Sequence, residues 1–350
     1  MYKIFLDDDK VVQDSIDNLV ISPKLKEKLN GVDSLEYTIP YDNVYFNDYE
    51  RRKSKIKVMY GADIIFKGRM LDERKTFDGS KTLTFEGELA FLNDIQYPPY
   101  DFAGDYDEFF RNIIDYYNSK CDQDNRFKVG QITLTDPNHY IVRSSESYSS
   151  CWKCINDKIL SYGGYLKIRY VGNERYIDLL AESGSLAKQP IEFGKNLLDL
   201  ENYIDSSEIA TVIIPLGANS TETDKLEDGV ERTYTAGRLD IKSVNDGIEY
   251  IESSNIKKYG RIETVVTWDD VTIPQNLKNK AQKKIYELML ENQSITAKVI
   301  DLHYANDEQP YFKKGNIIRI VSRPHSIDTT AILTERTRNL NNPVEDTFTL

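Results

Sequence analysis

The sequence predicts a mainly β protein of the α+β class, built from several subdomains. In the first part of the chain, apolar and polar residues alternate as in strands, with turn residues typical of hairpins between them, and the same pattern returns in the last part. Two separate stretches between them show helical spacing of apolar residues. Strands grouped apart from helices are typical of α+β proteins, and 350 residues exceed one ordinary core.

Residues 1–95 predict a small antiparallel barrel or curled sheet. Ile56 and Val58 alternate with polar residues, as in a strand with one buried face. The long strand-like run 64–77 is followed by Asp78-Gly79, which is a hairpin signal.

Residues 96–190 predict an α+β subdomain of two helices and a hairpin. Pro98-Pro99 breaks the chain before it, and the first helix begins near Asp105, which can cap it. The second helix covers 150–162 and is stopped by Gly163-Gly164. The alternating runs 166–170 and 176–180 then predict the hairpin.

The remaining chain predicts strands around one further helix. The apolar run 209–216 predicts a buried strand, and the polar stretch 218–236 predicts an exposed loop or flexible hairpin. Pro274 opens a helix that runs to about Asn292. After it, Ile300, Leu302 and Tyr304 predict one face of a strand, with His303 on the opposite, exposed face.

The composition argues against several classes of partner. The net charge of −12 disfavours binding to a phosphate backbone or to anionic lipid. The basic runs 24–28 and 51–53 are short and predict solvated faces. No run of apolar residues is long enough for a membrane span, and no signal peptide is expected at the start. Three cysteines suit a reducing compartment, so we expect synthesis in the cytosol.

Cys151-Trp152-Lys153-Cys154 is the most prominent local motif. A Cys-x-x-Cys at a helix start is the redox arrangement of thioredoxin-like proteins, but a polar approach and a following hairpin do not suit that fold. Burial of Cys151 and Cys154 as small apolar residues is the simpler interpretation. Zinc would need further ligands, for which Cys121 and His139 are the nearby candidates.

Other candidate chemistry is weak. His139, His303 and His325 are not spaced as zinc-protease ligands, although a Cys–His pair assembled from distant parts stays open. Asp7-Asp8-Asp9 and Asp269-Asp270 offer ligands for a divalent cation, but we expect turns at both places. The sequence therefore predicts no catalytic residue, no metal site and no cofactor.

A series of ordered phrases carries a family resemblance. They are Tyr116-Tyr117-Asn118, Gly163-Gly164-Tyr165-Leu166, Ile213-Ile214-Pro215-Leu216-Gly217, Tyr259-Gly260-Arg261-Ile262-Glu263, residues 268–274, residues 330–334, residues 339–343 and the closing strand 346–350. In this order they resemble siphophage and prophage tail-tip proteins, the family of phage minor structural proteins, prophage endopeptidase tails and tail-associated lysin N-terminal regions.

The resemblance implies the fold of a phage baseplate hub, with two barrel-like tube domains and peripheral α+β subdomains. On this basis residues 1–95 are one tube domain, and 191–217 with 294–350 are the second. Residues 96–190 are an α+β subdomain, and 218–293 are a peripheral insertion that carries the 274–292 helix.

The resemblance also implies a function in the virion tail tip. Three copies would form a ring that connects the tail tube to the distal tip, with the distal tail protein, the tape measure protein and receptor-binding fibres as partners. Direct readout of nucleic acid is not expected. The alternatives are a cell-wall-degrading endopeptidase and a carbohydrate-binding module that uses exposed tyrosine and tryptophan.

Overall fold

The computed structural model describes residues 2–14, 20–136, 139–172, 174–225, 231–269, 271–288, 292–306 and 308–350. The chain divides into two compact units. Unit 1 comprises Met1–Glu201 and Ile295–Leu350, and unit 2 comprises Asn202–Ser294.

The structure is mainly β, with helices in the middle of the chain. The elements up to residue 205 are β1 (Tyr2–Leu6), β2 (Lys10–Gln13), β3 (Ile21–Lys28), β4 (Ser34–Ile39), β5 (Lys55–Tyr60), β6 (Asp63–Lys75), β7 (Lys81–Gly87), β8 (Gln96–Tyr97), β9 (Tyr100–Gly104), α1 (Tyr106–Lys120), β10 (Lys128–Ile132), β11 (Ile141–Ser145), β12 (Ser149–Ser150), α2 (Cys151–Lys158), β13 (Tyr165–Val171), β14 (Glu174–Leu180), β15 (Ile191–Glu192) and β16 (Leu197–Asp205). Those that follow are β17 (Val212–Leu216), β18 (Asn219–Lys225), β19 (Glu231–Arg238), β20 (Ile251–Glu252), α3 (Ile256–Tyr259), β21 (Glu263–Thr267), α4 (Pro274–Leu288), β22 (Asn292–Val299), β23 (Ile317–Ser322), β24 (Ile327–Ile332), β25 (Glu335–Asn339) and β26 (Thr347–Thr349).

An 11-stranded sheet, curled into a half-barrel, organises unit 1. Its strand order is β16-β22-β26-β25-β3-β4-β7-β6-β5-β1-β2. Strands from the two ends of the chain meet where β25 pairs antiparallel with β3, with Arg338 opposite Leu25. The predicted strands and the hairpin turn at Asp78-Gly79 are confirmed by β5, β6 and β7. Strand β25 was not predicted.

The helical part of unit 1 follows the sequence prediction closely. The Asp105 carboxylate accepts a hydrogen bond from the Glu108 N–H and caps α1, and Ser150 caps α2 in the same way through Lys153. Helix α2 is shorter than predicted, because a 3-10 turn over Leu160–Tyr162 follows it. The Gly163-Gly164 stop is confirmed by backbone φ angles of 121° and 91°, which favour glycine. The hairpin is β13–β14, and β10 adds to it in parallel.

The strand predicted over Ile300, Leu302 and Tyr304 is wrong. Strand β22 ends at Val299, and Leu302–Tyr304 form a 3-10 turn. The Asp301 side chain accepts a hydrogen bond from the His303 N–H, so a local side-chain contact replaces the strand conformation. His303 is half-buried and its ring contacts those of Tyr60 and Tyr311, so its predicted exposure is also wrong.

Unit 2 packs one helix against a small sheet. Strand β17 confirms the predicted buried strand and lies between β20 and β21. Helix α4 begins at Pro274 as predicted and buries Leu277, Ala281 and Ile285; residues 289–291 of its predicted end lie outside the described residues. Within the stretch 218–236, the described residues form the paired strands β18 and β19, and residues 226–230 lie outside the described residues. The four-part domain division stays a prediction.

Candidate functional sites

The cysteine motif is part of the core of unit 1. Cys151 is fully buried and Cys154 is 2% exposed, and both thiols are free. Burial raises the pKa of the Cys151 thiol to about 12 and raises that of Cys154, whose Sγ lies 3.4 Å from the Tyr100 hydroxyl. A redox or zinc-binding cysteine needs the thiolate, which these environments disfavour. The geometry supports the interpretation of both residues as small core side chains.

The rings of His303 and His325 each hydrogen-bond to a group other than a cysteine. Nδ1 of His303 lies 2.5 Å from the Gln309 carbonyl oxygen, among the tyrosine rings described above. His325 lies in an exposed turn, where its Nδ1 is 2.6 Å from the hydroxyl of Ser322. Ser322 is fully buried and only three residues away, so this pair stabilises a turn and offers no accessible nucleophile. His139 has a left-handed backbone, with φ of 52°.

The acidic candidates lie in turns. Asp7-Asp8-Asp9 form the β1–β2 turn, as predicted, and the pKa of Asp8 is lowered by a hydrogen bond from Lys57. Asp269 pairs with Arg238 at 2.5 Å, and Asp270 lies outside the described residues. Across the part of the chain that the structure describes, no group of three or more His, Cys, Asp or Glu side chains is placed to hold a metal ion.

A buried ion-pair network lies where the two ends of the chain meet. Arg336 on β25 is fully buried and donates to the Phe312 carbonyl oxygen at 2.6 Å and to Asp346 at 2.8 Å. Its guanidinium also lies 3.2 Å from Asp301, another fully buried carboxylate. Asp301 in turn accepts hydrogen bonds from the side-chain amide of Gln189 and from the Phe312 N–H.

Arg338, two residues further along β25, forms the second half of this network. Its Nε donates to Glu27 on β3 at 2.5 Å, and its Nη1 donates to the Tyr2 hydroxyl at 3.2 Å. Burial alone would raise the pKa of Glu27, but the charges of Arg338 and Arg336 outweigh it and hold that pKa below its ordinary value. The pKa of Asp346 is raised, because burial outweighs the neighbouring Arg336.

Sequence reasoning missed this network because β25 contains no apolar residue. Its sequence is Glu-Arg-Thr-Arg-Asn, which has the composition of an exposed segment. The only available signal was its period of two, with arginine at alternate positions. Hydrophobic periodicity cannot detect a strand whose buried face is made of paired charges.

Exposed apolar side chains mark candidate contact surfaces. Phe77 is fully exposed at the tip of the β6–β7 hairpin, where the Asp78 side chain accepts hydrogen bonds from Thr76 and Ser80. Tyr41 and Val44, which are 69% and 79% exposed, follow β4. A Cβ on Gly79 would lie 3.6 Å from that of Tyr41, so Tyr41 lies against the hairpin turn. Clustered exposed apolar groups commonly mark protein–protein contacts.

The edge strand β16 is a second candidate surface. It forms one border of the 11-stranded sheet and exposes most of its nine residues. Leu198, Tyr203 and Ile204 are each about half exposed. Because an edge strand presents unpaired backbone groups, a long one with apolar side chains is a template for pairing with another chain.

An open groove of about 710 Å³ lies within unit 1. The first strand residues of β6 form one wall and β13 forms another. The rest of the lining comes from several other segments, among them residues 87–89, residues 183–185, Tyr311, Lys313 and Arg338. The side chains in it include both charged and tyrosine residues. None of the described helices has the length and apolar character of a transmembrane span.

The comparison with family models and the comparison with solved structures both find tail proteins. Residues 187–350 match the family model described as Prophage endopeptidase tail. No curated protein sequence matches the chain significantly. Among solved structures, prophage tail protein gp18 from Listeria monocytogenes aligns with a TM-score of 0.61 and 15% identity over 99% of this chain and 94% of that one. A tail protein from Neisseria meningitidis gives 0.67 and 12% over 100% of this chain and 95% of that one.

A third similar structure comes from a secretion system. The c3393 protein of E. coli, a type VI secretion component with structural similarity to the T4 bacteriophage tail proteins gp27 and gp5, aligns with a TM-score of 0.50 and 9% identity, over 99% of this chain and 76% of that one. At these identities the structures show a shared fold alone. Residues 187–350 thus match the Prophage endopeptidase tail family, and the chain has the fold of phage tail proteins.

Proposed function

We propose that the protein is a structural component of a phage or prophage tail, and that it forms the hub of the tail tip. The observation that carries this proposal is the fold, which matches tail proteins over nearly the whole chain. The c3393 protein is described as similar to T4 gp27 and gp5, which supports a hub-like position. The protein acts by assembly through its surfaces, without turnover of a substrate.

The architecture of unit 1 supports two tube domains that share one sheet. Strands β1–β7 supply the first tube domain, as assigned to residues 1–95. The C-terminal strands supply the second, as assigned to 191–217 and 294–350, and β25 joins the two at β3. Residues 202–217 of that assignment belong to unit 2 and receive no support from unit 1. Residues 96–190 and 218–293 are the peripheral parts in this proposal.

The proposed assembly is a homotrimeric ring that connects the tail tube to the distal tip. The exposed hairpin tip at Phe77 and the edge strand β16 supply surfaces for contacts between subunits. The proposed partners are the distal tail protein, the tape measure protein and receptor-binding fibres. The protein is synthesised in the bacterial host cytoplasm and resides at the virion tail tip.

The family description also names an endopeptidase, which is the rival function. The buried Cys151 and Cys154, with raised pKa values, and the buried Ser322 beside His325 are unsuited to act as nucleophiles. An assay of purified protein on peptidoglycan tests this rival. Release of peptide fragments that is lost in Cys151→Ala or His325→Ala variants would contradict the structural proposal.

Localisation in intact particles tests the hub proposal directly. Antibodies against the protein, or a gold-labelled affinity tag on it, are imaged by negative-stain electron microscopy of induced particles. We expect label at the end of the tail distal to the capsid. Native mass spectrometry of tail tips released from these particles should give three copies per tip. Label along the tail or on the capsid, or another copy number, contradicts the proposal.

A further inference from the structure

The groove between β6 and β13 has the features of a peptide-binding site. We propose that it binds an acidic, extended segment of another protein, which adds to the free edge of β13 as a further strand. Strand addition of this kind needs an unpaired strand edge and a channel beside it. Groove and edge both lie within unit 1, and the inference does not depend on the trimeric ring.

The backbone of β13 is prepared for another strand. In the order β10-β14-β13 this strand lies at the border of its sheet. The Leu166 N–H donates to Oδ1 of Asn30 at 3.0 Å, and Nδ2 of Asn30 donates to the Gly164 carbonyl oxygen at 2.8 Å. The Asn30 amide therefore occupies the position that a peptide group of a neighbouring strand would take.

The next backbone groups along this edge point into the groove. Backbone groups alternate between the two sides of an antiparallel strand. Since the Leu166 N–H points away from β14, those of Ile168 and Tyr170 do so as well. Within the described parts of the chain, no hydrogen bond to these outward groups of Ile168 or Tyr170 is formed. Both residues line the groove, so an extended segment there can satisfy them.

The charges of the groove favour an acidic segment. Three of its carboxylates are ion-paired: Glu27 with Arg338, Asp33 with Lys314 and Glu88 with Arg175. Asp63 accepts a hydrogen bond from the Tyr311 hydroxyl and keeps its negative charge. Three lysines remain, and no described carboxylate lies within ion-pair distance of them; they are Lys67, Lys167 and Lys313. In a chain with a net charge of −12, this excess of positive charge selects an acidic ligand.

A sugar is a poorer fit to the same groove. Sugars bind by stacking on open aromatic faces, but lysines lie over two of the three tyrosines that line the groove. The Lys67 ammonium lies 4.9 Å from the centre of the Tyr170 ring, and the Lys313 ammonium lies 4.9 Å from that of Tyr311. Arg338 also approaches the Tyr311 ring, at 5.4 Å. These contacts are cation–π interactions, which compete with stacking by a neutral ligand.

Fluorescence anisotropy on the full chain tests the proposal. The probe is a fluorescein-labelled peptide of alternating glutamate and valine, compared with a peptide of alternating lysine and valine and with a labelled chitin oligosaccharide. Two variants report on the groove. The double variant Lys167→Glu with Lys313→Glu reverses its charge, and Ile168→Pro removes one outward N–H without removing a β13–β14 hydrogen bond. The control is Lys120→Glu, an exposed charge reversal at the end of α1.

We expect saturable binding of the acidic peptide alone, weakened by salt. The double variant should reduce its affinity at least about tenfold, because charge complementarity is inverted. Ile168→Pro should reduce it as well, and Lys120→Glu should leave it within about twofold. Thermal unfolding of each variant checks that it is folded, and the double variant changes only surface charges. No binding of the acidic peptide, equal binding by the double variant, or preference for the oligosaccharide overturns the proposal.

Discussion

The two arginines of β25 show how single residues determine the stability of unit 1. Removing a guanidinium from water is costly, and attraction to carboxylates offsets the cost only when hydrogen bonds are nearly complete. Arg336 pairs with Asp346, Asp301 and the Phe312 carbonyl group, although its buried Nε has no hydrogen-bond partner among the described residues. Loss of one partner would leave the others charged and buried, which is more costly than loss of the whole network.

Substitution of Arg336 should therefore destabilise unit 1 strongly. We expect Arg336→Met to lower the free energy of unfolding by about 3–5 kcal/mol, because Asp301 and Asp346 lose their shared cation. Urea unfolding followed by circular dichroism measures this change. Arg319→Met on β23 is the matched control, since Arg319 and Asp328 form an exposed pair, and its effect should stay below about 1 kcal/mol. Equal effects of the two substitutions would contradict the assigned role.

Glu27 gives the network a predictable pH dependence. Its pKa in the folded protein is below the ordinary value of 4.5, so its stabilising contribution is present above that value and is lost as pH falls through the folded pKa. Asp346 has a raised pKa and acts in the opposite sense, so its ionisation reduces stability as pH rises through the folded value.

We expect Glu27→Gln to flatten the acid limb of the stability profile and Asp346→Asn to steepen it. Thermal unfolding between about pH 3 and 6 measures both slopes against the unsubstituted protein. A Glu27→Gln profile parallel to that of the unsubstituted protein would show that Glu27 has the same pKa in the folded and unfolded states.

At the scale of single elements, the amphipathic helices and the hairpins were predictable from local signals. Asp105, Ser150 and Pro274 mark helix starts, and Asp78-Gly79 marks a turn, because each satisfies or shapes a few neighbouring backbone groups. The failures have a physical cause too. Leu302–Tyr304 form a 3-10 turn and not the predicted strand, because the Asp301 side chain accepts a hydrogen bond from the His303 N–H. The buried position of Asp301 depends on partners that are distant in sequence.

The cap of α1 can be tested by itself. We expect Asp105→Ala to lower stability by about 1 kcal/mol, because the Glu108 N–H loses its acceptor at the helix start. Asp115→Ala, an exposed change within the same helix, serves as the control and should be neutral or slightly stabilising, since alanine favours helix. Thermal unfolding of the two variants gives the comparison. A cost for Asp115→Ala as large as for Asp105→Ala would remove the capping explanation.

At the scale of the whole molecule, the division into two units could not be predicted from local sequence patterns, and neither could the long-range strand pairing. The pairing of β25 with β3 joins residues at opposite ends of the chain, and no local periodicity encodes it. The tail-protein resemblance supplied the expectation of a phage tail fold, whereas residue spacing predicted only the mainly β, α+β class. Neither source indicated the groove beside β13, because its walls come from segments far apart in sequence.

The two units should respond separately to substitutions in their cores. Leu277 is fully buried in unit 2, so Leu277→Ala should destabilise that unit by about 2–5 kcal/mol. Differential scanning calorimetry should show one transition moved to lower temperature while the other stays in place. Tyr286→Ala on the same helix changes a residue that is 63% exposed and should move neither. A common shift of the entire heat-capacity profile would mean that the units unfold as one.

The antiparallel pairing of β3 with β25 has a consequence for biosynthesis. Glu27 and Arg338 lie 311 positions apart, so the ribosome makes the acidic partner long before the basic one. At typical elongation rates, the edge of β3 that pairs with β25 stays unpaired for on the order of tens of seconds. During this time the Glu27 carboxylate lacks its partner Arg338. The nascent chain is most open to misassociation during that interval, and the pairing of β3 awaits the synthesis of β25.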